Sequence, residues 1–274
     1  MNDSIVDQFQ NRLQQDSRIY LVGLAGVPGS GKTTFCSEVL SRLPGAVVVP
    51  MDGYHLPRVQ LDAEGLRRRG ALHTFDGDAF YQDVRSLKEN HEGVFPSFDH
   101  AEKDPRPNAI RVTGEARIVI IEGIYVLMRS WRAEPLFDLR VFLDCDLDEA
   151  VDRLAIRHVQ TGLSSTLREG RHRAVTNDRV NAEGILADGC RERADLVLLT
   201  PFQAARDSEF DRDIADEFAQ LFPWRETPPE VYAAQHAEHL ANYSYHLYRY
   251  RDRAMGNWAR RLGVLLSSPE DLAH

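Results

Sequence analysis

Residues 26–33 read Gly26-Val27-Pro28-Gly29-Ser30-Gly31-Lys32-Thr33, which matches the pattern G-x-x-x-x-G-K-[ST] at every fixed position. The glycines permit the backbone turns that aim successive N–H groups at one anion. Lys32 adds a point charge for the outer phosphates, and the hydroxyl of Thr33 can ligate Mg²⁺. The stretch therefore predicts a phosphate loop for a nucleotide, followed by a helix whose first turn, with Thr34, faces the same anion.

The segments around this loop have the pattern of an α/β fold. Residues 19–24 are a short apolar run that predicts a buried strand, and residues 33–43 have helical character. Further strands are predicted at 46–49, 117–121, 139–143 and 196–199, and further helices at 79–90 and 148–160. Apolar strands that alternate with amphipathic helices indicate a mainly parallel, five-stranded sheet with helices on both faces.

The composition changes after Phe222, and we predict a domain boundary there, with residues 1–222 as the nucleotide-binding domain and 223–274 as a helical extension. Three prolines punctuate the start of the extension, and residues 231–262 predict a long helix with one apolar stripe. Its aromatic side chains suit packing against the main domain or a second subunit. A homodimer is therefore one of two expected arrangements.

Composition narrows the class of protein. The 274 residues carry a formal charge of −9, which argues against a nucleic-acid partner because phosphate contacts need a basic surface. No apolar run approaches the length of a membrane span, and the three cysteines are scattered. The simplest expectation is a cytoplasmic protein whose partner is a small molecule, without a membrane contact.

Two predicted strands end in acids. Asp52 follows the second strand and Glu122 ends the third. A carboxylate at the carboxyl end of a strand, beside the phosphate loop, can accept a proton from an attacking hydroxyl, which is the hypothesis for Asp52. Glu122 is predicted to hold a magnesium-bound water or a substrate hydroxyl. The alternatives are an acid that only shapes a turn and an exposed acid with no ligand.

Five arginines cluster around the Thr161-Gly162 turn, namely Arg153, Arg157, Arg168, Arg171 and Arg173. Guanidinium groups on a mobile segment can close over ATP and stabilise charge on the transferring phosphoryl group. For each single arginine the alternative is an ordinary solvated position.

Five stretches together carry a resemblance to a known family. They are the phosphate loop, Met51-Asp-Gly-Tyr-His-Leu56, Arg67-Arg-Arg-Gly-Ala-Leu-His-Thr-Phe-Asp76, Phe95-Pro-Ser-Phe-Asp-His100 and Ile121-Glu-Gly-Ile-Tyr-Val-Leu127. In this order they resemble the uridine kinase/phosphoribulokinase/pantothenate kinase superfamily over about residues 19–200. The second and third stretches look like the pantothenate kinase branch. Arg157-His158 and Asn177-Asp178-Arg-Val-Asn181 look more like its nucleoside/nucleotide kinase-like members.

The resemblance implies a P-loop NTPase three-layer sandwich with an arginine-bearing lid, and ATP and Mg²⁺ as cofactors. It would make Asp52 the general base, Lys32 the phosphate clamp, and Thr33 and Glu122 the groups that serve the metal. The residues it implies for the acceptor pocket, beside Asp52 and Glu122, are Tyr54, His55, Arg69, Asp99, His100 and Tyr125. Those it implies for the lid are Arg157, Arg171 and Arg173.

The resulting prediction is a small-molecule kinase that transfers the γ-phosphoryl group of ATP to a hydroxyl of pantothenate, a nucleoside or a sugar. One alternative is a regulatory NTPase, although the Asn-Lys-x-Asp motif of GTPases and the Leu-Ser-Gly-Gly motif of ABC ATPases are absent from the sequence. The other alternative is a degenerate kinase that acts as a binding module.

Overall fold

The computed structural model describes Phe9 and residues 18–43, 45–99 and 101–199. The chain divides into two compact units, one of residues 1–163 and 169–202 and the other of residues 164–168 and 203–274. The fold described below is that of the first unit. The predicted boundary at 222/223, the predicted helix at 231–262 and His100 all lie outside the described residues.

A five-stranded parallel sheet forms the centre of the first unit. Its strands are β1 (Tyr20–Gly26), β2 (Ala46–Pro50), β5 (Ile118–Glu122), β6 (Leu139–Asp144) and β7 (Leu196–Leu199). They lie in the order β2-β5-β1-β6-β7, and each pair is parallel. Each predicted strand is confirmed to within two residues at either end. The central strand β1 leads into the phosphate loop between β5 and β6, and this places the loop at the carboxyl edge of the sheet.

Alternate side chains of the sheet supply two separate hydrophobic cores. In β5, Ile118 and Ile120 belong to one core and Val119 and Ile121 to the other, as the two-residue period of a strand requires. The first core includes Phe35 and Val39 of helix α1 (Lys32–Arg42). The second includes Phe80, Val84 and Leu87 of helix α3 (Gly77–Asn90), which confirms the helix predicted at 79–90. Parallel strands buried on both faces explain why they read as continuous apolar runs.

A two-stranded antiparallel sheet was not predicted. Strands β3 (Gly93–Asp99) and β4 (Asp104–Val112) pair as a hairpin with a register shift between Phe95 and Ser97. The shift falls at Pro96, which cannot donate a ladder hydrogen bond. Because most side chains of β4 are exposed, no apolar run marks the strand in the sequence.

The remaining helices lie between and after the strands. Helix α2 (Ala63–Arg67) ends just before Arg68 and Arg69, and α4 (Leu147–Gln160) follows β6. Helix α5 (Leu167–Arg173), a π-helical turn (Ala174–Arg179) and α6 (Val180–Ala187) form one continuous run. In the part of the chain that the structure describes, no helix is both long enough and apolar enough to cross a membrane.

Candidate active site

The phosphate loop has the geometry that its sequence predicts. It leaves β1 at Gly26, and helix α1 begins at Lys32. Gly31 has a φ of 92°, in the left-handed region that favours glycine, and its carbonyl accepts the first helical bond from Phe35 at 3.0 Å. Thr33 and Thr34 are exposed, and the first turn of α1 contains no acidic residue. The helix therefore presents its N–H groups to an anion without a competing carboxylate.

Lys32 folds back over its own loop. Its Nζ donates to the carbonyls of Gly26 at 2.9 Å and Val27 at 3.0 Å, and it lies 3.4 Å from Ser30 Oγ. The side chain is buried, and burial lowers the pKa of Lys32, an effect that the carboxylates of Glu122 and Asp52 oppose. The ammonium group is thus already inside the loop that would hold phosphate.

Strand register brings the two predicted carboxylates to this loop. Glu122 lies opposite Leu24 of β1 on one side and opposite Pro50 of β2 on the other. Asp52 follows Pro50 by two residues, in a 3-10 turn over Met51–Tyr54. The turn packs directly on the end of β5, since a Cβ on Gly123 would lie 1.7 Å from Met51 Cγ. Three neighbouring strand ends therefore hold the loop, Asp52 and Glu122 together.

The charges of these groups act on one another. Burial raises the pKa of Glu122, the charge of Lys32 opposes the rise, the charge of Asp52 adds to it, and Arg157 also opposes it. Two acids beside a buried cation form a site of mixed charge, in which any added anion or cation changes the protonation of its neighbours.

The described residues fit a nucleotide and a divalent cation. The open N-terminus of α1 and the buried ammonium of Lys32 suit a chain of phosphates. Within the described ranges, no group of three or more His, Cys, Asp or Glu side chains is close enough to hold a metal on its own. Mg²⁺ commonly uses one or two carboxylates and completes its shell with water and substrate phosphates, so Thr33 and Glu122 remain suitable ligands.

Aromatic rings contact one another beside Asp52. The centroid of the His55 ring is 3.9 Å from that of Phe75, at an interplanar angle of 40°, and 4.7 Å from that of Phe98, at 42°. His55 Nδ1 is 2.8 Å from the carbonyl oxygen of Asp52. The Arg69 guanidinium lies over the ring of Phe98, 5.4 Å from its centroid. The predicted residues His55 and Arg69 therefore belong to one cluster of contacts beside Asp52.

Three other predicted acceptor residues are already engaged in the protein. Tyr54 Oη donates to Asp83 at 2.8 Å, and Tyr125 Oη donates to the Gly70 carbonyl at 2.9 Å. Burial raises the pKa of both phenols. Asp99 accepts from two backbone N–H groups of the β3–β4 turn and pairs with Arg106 at 2.5 Å. Tyr54 and Tyr125 are therefore held by partners within the protein, and Asp99 closes the hairpin turn.

The predicted lid arginines occupy different surroundings. Arg157 is exposed, and its charge reaches both Lys32 and Glu122. Arg171 pairs with Asp152 of helix α4 at 2.8 Å. Arg173 is half-buried and its Nε finds no partner among the described residues. Of the three, only Arg157 is connected to the phosphate side by a described interaction.

Arg153, a member of the arginine cluster that the resemblance did not assign to the lid, contacts the phosphate loop. Its Nη1 donates to the Gly29 carbonyl at 3.2 Å, and Nη2 lies 3.8 Å from Glu149. Arg153 precedes Arg157 by one helical turn, so the helical spacing of the two arginines was the signal available in the sequence.

The fold and the loop define a P-loop α/β protein of the nucleoside-triphosphate-binding class. The model of the phosphoribulokinase/uridine kinase family matches residues 21–162. The chain belongs to this family.

Individual relatives agree with this assignment. A protein of Schizosaccharomyces pombe whose name proposes a uridine kinase, C227.14, is 38% identical over 198 residues, which cover 65% of this chain and 84% of that protein. A solved structure named as a proposed fructose transport system kinase, from Silicibacter sp. TM1040, has 34% identity and a TM-score of 0.64, and the match covers 71% of this chain and 97% of the other. YFH7 of Saccharomyces cerevisiae, at 22% identity and a TM-score of 0.59 over 73% of this chain and 98% of its own, shares the fold.

Proposed function

We propose that this protein is a kinase that transfers the γ-phosphoryl group of ATP, with Mg²⁺, to a hydroxyl of a small metabolite. The observation that carries the proposal is the placement of Asp52, whose charge acts on both Lys32 and Glu122 at the carboxyl edge of the sheet. From there Asp52 would accept the proton of the incoming hydroxyl, while Lys32 and the N-terminus of α1 would hold the phosphates. Positioning and charge stabilisation would supply most of the rate enhancement.

The acceptor side favours a neutral acceptor. Two of the charged residues predicted to line it are already paired, Arg69 with Asp104 at 3.1 Å and Asp99 with Arg106. The aromatic cluster of His55, Phe75 and Phe98 offers ring faces and edges instead. A nucleoside or a sugar would use these rings and a few hydroxyl contacts, whereas pantothenate would need a partner for its carboxylate.

A screen for ADP release tests this proposal. The purified protein is incubated with Mg²⁺·ATP and, one at a time, uridine, D-fructose, D-pantothenate and a phosphosugar. We expect ADP release that depends on a nucleoside or a neutral sugar. ADP release that is equal in the absence of every acceptor would support a regulatory NTPase instead. Failure to bind Mg²⁺·ATP would support a binding module.

A further inference from the structure

One backbone oxygen ties the acceptor side to two distant parts of the chain. The Gly70 carbonyl accepts from Tyr125 Oη at 2.9 Å and from Asn181 Nδ2 at 3.1 Å. Asn181 is 7% exposed, so its amide must find its partners inside the protein. Gly70 itself is held by a bond from its N–H to Thr74 Oγ1 at 3.1 Å. The turn at Gly70 is therefore held by a local hydrogen bond to Thr74 and by two bonds from distant parts of the chain.

Arg68 completes the connection from the other direction. Its Nη1 donates to the Thr176 carbonyl at 2.9 Å, and its Nη2 lies 3.3 Å from Asn181 Oδ1. Asn181 thus donates to Gly70 and accepts from Arg68 at the same time. The preceding arginine, Arg67, pairs with Glu64 on an exposed surface, which makes it a natural comparison.

One end of this connection leads to the acceptor side and the other to the helical run that carries two of the predicted lid arginines. Residues 68–75, which we call the acceptor wall, end at Phe75, whose ring contacts that of His55 beside Asp52. Thr176 lies in the π-helical turn that continues directly from Arg171 and Arg173. π-Helical turns inside helices are often found at functional sites, and this one carries the carbonyl that Arg68 binds.

We propose that Arg68 and Asn181 are positioning residues for the phosphoryl acceptor. They hold the acceptor wall against the helical run 174–187, and in this way they set the distance between the ring of Phe75 and the carboxylate of Asp52. Neither residue needs to touch the acceptor. The inference rests on the proposed kinase function, and the wall itself can be tested without it.

A set of variants separates the two hydrogen bonds of Asn181, one donated to Gly70 and one accepted from Arg68. Asn181→Leu removes both bonds, and Asn181→Asp keeps an acceptor for Arg68 but loses the donor to Gly70. Arg68→Met removes the hydrogen bonds to Thr176 and Asn181. Arg68→Lys can replace one of these two bonds but not both, because an ammonium group lacks the two parallel donors of a guanidinium group. Arg67→Met is the matched control.

Kinetics with whichever compound of the panel is phosphorylated give the first readout. We expect Asn181→Leu, Asn181→Asp and Arg68→Met to raise the acceptor KM about tenfold while kcat and the KM for ATP stay within about twofold. Arg68→Lys should fall between Arg68→Met and the wild type, and Arg67→Met should equal the wild type. An unchanged acceptor KM, or an equal loss in both KM values and kcat, would overturn the proposal.

Hydrogen exchange gives a second readout that needs no acceptor. Amides of residues 68–75 should exchange about tenfold faster in Asn181→Leu and Arg68→Met, whereas those of β1 and β5 keep their wild-type rates. If the wild type phosphorylates nothing, the kinase function fails and exchange alone decides. Wild-type exchange of residues 68–75 in both variants would then refute the connection.

Discussion

The phosphate side and the acceptor side of this site are built in opposite ways. The phosphate side comes from one continuous stretch, residues 26–33, whose backbone and single ammonium group are the proposed phosphate contacts. The acceptor side is assembled from segments near residues 52–55, 68–75, 98 and 125, and its side chains are already bonded to one another. A contiguous backbone cradle suits a ligand common to many proteins, whereas an assembled, prebonded pocket can change its specificity through single side chains.

Asp52→Asn should separate the two sides most sharply. The amide cannot take a proton from the acceptor, so we expect kcat to fall about a thousandfold, within the range typical of a lost general base. Affinity for Mg²⁺·ATP, measured by titration calorimetry, should change less than about threefold. Glu64→Gln, which alters an exposed carboxyl, is the control. An unchanged kcat would remove Asp52 from its proposed role.

Lys32→Met tests the phosphate side alone. Loss of the ammonium group should lower kcat/KM for ATP about a hundredfold, as does the removal of one preorganised donor to a developing charge. The melting temperature should not fall, because burial lowers the pKa of Lys32 and the charged side chain is costly to bury. Undiminished ATP affinity together with a lower melting temperature would mean that Lys32 is only a structural residue.

Glu122→Gln should lower the activity of the protein and raise its melting temperature. Burial raises the pKa of Glu122, so the folded state binds this proton more tightly than the unfolded state. Stability contributed by the protonated acid is therefore lost as the pH rises from the ordinary pKa of glutamic acid through the raised one. Glutamine does not titrate, and the variant should melt at a higher temperature than the wild type at pH 7.

The same variant should show a change in magnesium dependence. Activity at limiting Mg²⁺ should fall about tenfold and recover in part when Mg²⁺ is raised, if Glu122 serves the metal. The difference in melting temperature should shrink as the pH falls through the raised pKa of Glu122 towards 4.5, the ordinary value for this acid. A lower melting temperature at pH 7, or an unaltered dependence on Mg²⁺, would contradict these assignments.

Tyr54→Phe should have the smallest effect. It removes the donor to Asp83, whose pKa burial raises and this hydrogen bond lowers. The free energy of unfolding should fall by about 1 kcal/mol at pH 7, and the difference should shrink as the pH falls and Asp83 becomes protonated. Denaturant titration at the two pH values measures it. A large loss of activity with no loss of stability would indicate that the phenol contacts the acceptor directly.

The phosphate side could be predicted from the sequence because the residues that form it are consecutive in the chain. The strand, the loop and the helix follow one another, and parallel strands necessarily bring Asp52 and Glu122 to the same edge. Helix α4 was also predicted, but its contact from Arg153 to Gly29 joins residues separated by 124 positions, and no local pattern encodes it.

For the acceptor side, the sequence predicted several of the residues but not the contacts between them. The resemblance named His55, Arg69 and Tyr125, but nothing in the sequence indicates that His55 contacts two phenylalanine rings or that Arg69 is paired with Asp104. The hairpin that supplies Phe98 has a mostly exposed second strand, so it lacks an apolar signal. The contacts of Arg68 and Asn181 span more than a hundred residues and arise from tertiary packing alone.

The central claim is that one site holds ATP on residues 26–33 and deprotonates an acceptor hydroxyl through Asp52. Its most direct test is product stoichiometry, with ADP, inorganic phosphate and phosphorylated acceptor quantified together for the wild type and Asp52→Asn. We predict one phosphorylated acceptor for each ADP and no excess phosphate in the wild type, and loss of both products in the variant. ADP and inorganic phosphate formed in equal amounts, undiminished in Asp52→Asn, would contradict the account.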